Sequence, residues 1–96
     1  MGIDVGELIW VKCEVKPGPF PDERVVLVDT LDGPWVGFVD VHSLADPAKS
    51  GKTSVRGVVV EVKRDTLLVR LPGHSTAGRM IRRIDDGLVS RGALQA

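Results

Sequence analysis

Tyrosine is absent from this chain, and phenylalanine and tryptophan occur only twice each, so an aromatic-lined peptide groove has few residues to build it. The single cysteine, Cys13, excludes an internal disulfide, and a cytoplasmic setting is the simplest expectation. No apolar run approaches the roughly 20 residues of a bilayer-spanning helix, and no membrane role is expected. The opening MGIDVGELIW has neither a basic n-region nor an apolar h-region, so no secretory signal is expected. HExxH, CxxC and P-loop spacings are missing. Zinc chemistry and nucleotide hydrolysis therefore have no basis in the sequence, and neither a metal nor a cofactor is expected. Helical periodicity is missing too: no segment of ten or more residues keeps an i, i+3, i+4 apolar stripe.

Net charge is zero, with 13 basic and 13 acidic residues, which argues against a strong non-specific DNA binder. The balance hides a division. Residues 1–45 carry three basic residues against eight acidic ones, and residues 46–96 carry ten against five. Either the chain presents a dipolar surface whose basic end meets an acidic partner, or the two sets interleave in space and cancel. Hydrophobic residues make up 43% of the 96, enough for one packed core and one domain.

What is present is strand-like. LIWVKCEV alternates, with Ile9, Val11, Cys13 and Val15 on one face and Trp10, Lys12, Glu14 and Lys16 on the other. RVVLVDT and PWVGFVDV follow, joined through an Asp-Gly hairpin signal in LDGP. ADPAKSGKTS reads as a loop or short helical turn. VRGVVVEVK alternates again, with Val58, Val60 and Val62 expected inward and Val59 outward. LLVRLP puts Leu67, Val69 and Leu71 inward, RMIRRI is the last clear strand, and residues 90–96 are expected to fray. The expectation is an all-β domain, a small antiparallel barrel of about six strands. The halves share an order of strand, strand, loop, strand, Asp and Leu, ending on Asp40 and Leu44 in one and Asp85 and Leu88 in the other. Two three-stranded halves are one reading; two unrelated meanders are the other.

VRGVVVEVKRDTLLVRLPG resembles the KOW-type unit of SH3-like small barrels, a glycine before an alternating strand, a short turn and a second alternating strand. GPWVGFVDVHSL is similar to the closing part of such a barrel. The resemblance covers about half the chain. It implies an SH3-like barrel and a binding role toward RNA, DNA, ribonucleoprotein surfaces or short peptides; fold alone does not fix a function.

Two surfaces are candidates for that role. In LPGHSTAGRMIRR, the hydroxyls of Ser75 and Thr76 and the backbone N–H groups of His74, Ser75 and Thr76 could cradle an anion, with Arg79, Arg82 and Arg83 in reach of a phosphate backbone. Arg56 and the lysines near 49–52 extend the basic set. Because Arg82 and Arg83 project to opposite strand faces, one of them is expected at the barrel rim. The other surface belongs to protein interaction or self-association: Trp10 flanked by Lys12 and Lys16, Phe20 in the proline loop, and an outward Val59. Trp10 either stacks on a partner or covers an open barrel end. The loop KPGPFPDE reads first as a stiff connector, with Phe20 packed back as its anchor, and second as a recognition element. Cys13 reads as a small core hydrophobe rather than a nucleophile, and no catalytic residue is expected.

Overall fold

In the computed structural model, which describes residues 2–46 and 50–91, every extended element joins one curled antiparallel sheet that forms a half-barrel. The chain runs β1 (Leu8–Pro17), β2 (Glu23–Thr30), β3 (Gly33–Asp40), a 3₁₀ turn at Val41–Ser43, then β4 (Gly51–Val62) and β5 (Thr66–Arg70). It continues through β6 (His74–Ser75), β7 (Ile81–Asp85), a second 3₁₀ turn at Asp86–Leu88 and β8 (Val89–Arg91). Strand order is β6-β3-β2-β1-β4-β5-β7, with β8 also paired to β1. The count is eight strands rather than six. β6 and β8 are too short for alternation to reveal, and they form because partner strands supply their hydrogen bonds.

Burial follows the pleat. Ile9, Val11 and Val15 are fully buried on β1, and the register carries that face into Val26 on β2 and Val55 on β4. Trp35 closes the core at 0% exposure, beside Val28. Gly37 lies under its ring, where a Cβ would fall 2.4 Å from Trp35. One face expectation is overturned: Val59 is buried at 1%, while Val58 and Val60 lie half-buried on the outer face and Val62 is 43% exposed. Three consecutive valines give both faces the same hydropathy, so alternation cannot choose between them. Pairing with β1 chooses, setting Gly57 opposite Ile9 and Val55 opposite Val11, and a bulge after Val59 shifts the strand beyond it.

The sequence resemblance of the halves has a structural counterpart. β1, β2, β3 and the first 3₁₀ turn have the same order and pairing as β4, β5, β7 and the second. Asp40 and Asp85 each cap their turn, accepting from the backbone N–H two residues on. After the turns, Leu44 bridges to Val55 of β4 and Val89 pairs with Val11 of β1. The long antiparallel β1–β4 seam joins the halves at the centre. Ser90 and Arg91, expected to fray, belong to β8 opposite Trp10 and Ile9, and Arg91 Nε donates to Glu7 Oε2 at 2.7 Å. Residues 92–96 lie outside the described residues.

Candidate functional site

The β5–β7 hairpin does not close with a tight turn. After Arg70 the chain crosses to the free edge of β3, pairs there as β6, and returns through Met80, whose carbonyl accepts from Leu71 N–H. Gly73 makes the crossing possible, with φ of +77° and no room for a Cβ, which would lie 2.0 Å from the Phe38 carbonyl oxygen. From the other side, the β2–β3 turn grips β7: Leu31 N–H donates to Arg83 O at 2.8 Å. Asp32 takes Arg83 N–H on one carboxylate oxygen and the guanidinium on the other, at 2.7 to 2.9 Å. The Arg83 guanidinium beside Asp32 holds that carboxyl below its ordinary range, and Asp32 in turn raises Arg83.

Between the crossing loop and the outer face of this hairpin lies an open cleft of about 970 Å³. Four arginines border it, Arg70, Arg79, Arg82 and Arg83, around an apolar floor of Leu68, Met80 and Ile81, with Asp32 as its one acidic residue. Alternation places Arg83 opposite Leu68 on the outer face and Arg82 opposite Val69 on the inner one. Both still reach the cleft because β7 ends the sheet and the cleft extends round it to Asp32 of the gripping turn. Arg82 Nη2 donates to Pro34 O at 3.3 Å, and its Nε is buried without a hydrogen-bond partner among the described residues. The side chains of Arg70 and Arg79 are exposed and make no hydrogen bond or ion pair among the described residues. The arrangement can bind an anion by charge-assisted hydrogen bonds while an apolar body rests on the floor.

The residues expected to cradle an anion are engaged otherwise. Thr76 N–H donates to Val36 O at 2.9 Å, the hydroxyls of Ser75 and Thr76 reach the same carbonyl at 3.3 Å, and His74 pairs opposite Phe38. They fasten the loop to β3 and leave the arginines to face the cleft. Arg56 stands apart on β4, its guanidinium 5.5 Å from the Trp10 ring centre. Lys52 lies opposite Glu14 on the same outer face, and Lys49 falls outside the described residues. Arg70 was not singled out from the sequence, although alternation of Leu67, Val69 and Leu71 inward already turns it outward.

The second candidate surface does not gather. Trp10 is on the outer face with Lys12 and Lys16, yet it is half-buried beside Leu44, Ser54 and Ser90, and its Nε1 has no partner among the described residues. Phe20, expected as the loop anchor, is 63% exposed. Arg24 anchors the loop instead: it is 7% exposed and donates to Pro21 O at 2.8 Å and Glu23 O at 2.9 Å. Three prolines hold the tip rigidly enough that no aromatic plug is needed. Val59, in the core, cannot serve an interaction surface. Burial pushes the Cys13 thiol up to about 12, so it stays protonated and serves as packing.

Among the described residues, no helix is long and apolar enough to cross a membrane, and no three His, Cys, Asp or Glu side chains are placed to hold a metal ion. Comparison with protein-family models, curated proteins and solved structures gives no match.

Proposed function

We propose that this protein is a non-catalytic binding module whose arginine cleft takes the phosphate backbone of single-stranded RNA or DNA in the cytoplasm. The SH3-like, KOW-type resemblance belongs to this proposal; the half-barrel supports the small-barrel class on which it draws. One observation carries the reading: Arg70, Arg79, Arg82 and Arg83 converge on one cleft over apolar side chains, and two of them have no protein partner among the described residues. Uncommitted guanidiniums retain their full capacity for phosphate oxygens, and the floor of Leu68 and Ile81 gives a sugar or base an apolar rest. Four contacts at most predict moderate, salt-sensitive affinity. For single strands the slope of log K against log salt is about −0.7 per phosphate neutralised, so roughly −2 to −3 is expected.

The test is fluorescence-anisotropy titration of several single-stranded oligonucleotides at low and moderate salt. Arg79→Ala should weaken binding evenly across sequences and make the slope shallower by about 0.7, because one phosphate contact is lost. No measurable binding to any of them at low salt removes the proposal.

A further inference from the structure

The outer faces of the two hairpins are not ordinary wet sheet faces. An antiparallel sheet solvated on one side alternates apolar inward with polar outward. On β2 and β3 the outward positions are instead Val25 opposite Phe38 and Leu27 opposite Val36, all half-buried, and the described strands form one sheet with no second layer over them. The equivalent positions on β5 and β7 are Leu68 opposite Arg83 and Arg70 opposite Ile81. The same four-residue patch thus occurs twice, wholly apolar in one half and with two arginines set among the apolar residues in the other. The rims differ in their charge balance as well. Glu23 and Asp40 face each other at one end of the first patch and Asp29 lies at its other end, whereas the second has Asp85 opposite Thr66 at the equivalent end, Asp32 already paired with Arg83, and Arg79 on its border.

We infer that the β2–β3 outer face of one copy docks on the β5–β7 outer face of another, so that the chain self-associates head to tail. Charge selects this pairing. Two acidic-rimmed faces, or two arginine faces, would set like charges together in a symmetric dimer, whereas the mixed pairing brings Arg70 and Arg79 against Phe38 and an acidic rim, Arg83 being held by Asp32. The zero net charge, split −5 and +5 between the halves, gives no overall repulsion between copies. A face of one kind meeting a face of the other kind leaves one of each free, so association continues into open chains unless the rotation closes a ring. The inference does not rest on the nucleic-acid reading, but the two are mutually exclusive at the arginine face: the acidic rim and a polyanion compete for the same guanidiniums.

Light scattering over a wide concentration range should show weight-average mass rising more than about twofold without a limiting closed dimer at low salt, and falling to the monomer in about 0.5 M salt. The decisive pair of variants is Arg70→Glu, which spoils only the arginine face, and Glu23→Lys/Asp29→Lys, which spoils only the acidic rim. Each alone should be monomeric. Mixed, they should associate again, because each retains the face the other lacks; this also shows that both are folded. A single-stranded 20-mer of thymidine added to the wild type should dissolve the chains. A monomeric wild type at low salt overturns the self-association, even if the oligonucleotide binds. Growth unchanged by Arg70→Glu overturns the assigned face, and chains that form while no oligonucleotide binds leave it standing and remove the nucleic-acid reading alone.

Discussion

Phe20 and Arg24 show how a single position can be misjudged by residue type. An aromatic between prolines suggests an anchor and an arginine at a strand start suggests surface, yet Phe20 is 63% exposed and Arg24 is buried at 7%. The guanidinium supplies donors to the Pro21 and Glu23 carbonyls, and a phenyl ring has no donor to offer. Arg24→Ala should therefore remove two charge-assisted hydrogen bonds and the packing of a buried stem, at a cost of about 1–3 kcal/mol. Phe20→Ala should cost about 0.5 kcal/mol or less, as for other exposed positions. Thermal melts of the two variants check this, with roughly 4–8 °C expected per kcal/mol in a domain of this size. A Phe20→Ala melt lowered more than that of Arg24→Ala would reverse the assignment. The inner face of β1 was legible residue by residue because its apolar and polar positions alternate cleanly. Val58 to Val60 were not, because a run of valines carries no face information until a partner strand imposes a register.

Elements carry the closure of the half-barrel. Strand β6 was invisible in the sequence because two residues have no period; its partner, the edge of β3, is over thirty residues away. The Asp-Gly turn of β2 and β3 was legible as a hairpin signal, but its second use, gripping β7, depends on a fold-level approach that no local pattern encodes. Asp32 makes that grip sensitive to acid. Its carboxyl is held below the ordinary value of 3.8 by Arg83, so the stabilisation is fully present above that value and is lost as pH falls through the lowered one. Urea midpoints should therefore drop between about pH 5 and about pH 2 by more in the wild type than in Asp32→Asn, where this source of acid lability is gone. Asp32→Ala makes an opposite pair of changes: it loosens the turn and frees Arg83. Its melting temperature should fall while its affinity for a single-stranded oligonucleotide rises. A parallel fall in both would mean that the grip shapes the cleft rather than competes with its ligand.

At the scale of the whole molecule, the shared Asp at the end of each half was legible, and the register turns it into an internal correspondence between two units joined along β1 and β4, in which Leu44 matches Val89 and not Leu88. The opposite charges of the halves were legible too; which of those charges meet in one cleft was not, because a curled sheet brings residues together by strand order, not by sequence order. The correspondence has a consequence for chain connectivity. The segment between Asp46 and Ser50, which links the halves, corresponds to the junction of the chain's two ends. The first and last described residues approach each other: a methyl group on Gly2 would sit 3.4 Å from Arg91 Nη1, and Arg91 is tied to Glu7. If the halves are held together by their pairings, β1 with β4 and β8, β3 with β6 and the β2–β3 turn with β7, rather than by the link between them, their order along the chain is immaterial. A circular permutant opened between Asp46 and Ser50, with its old ends joined by a short glycine-serine linker, should keep every strand pairing. It should melt in a single cooperative step, roughly 5–15 °C below the wild type, because one connection is exchanged for another and no core residue changes. Far-UV circular dichroism and the cooperativity of the melt decide the matter. A permutant with the far-UV spectrum of an unfolded chain would mean that the link between the halves, and not the seam, holds them in register.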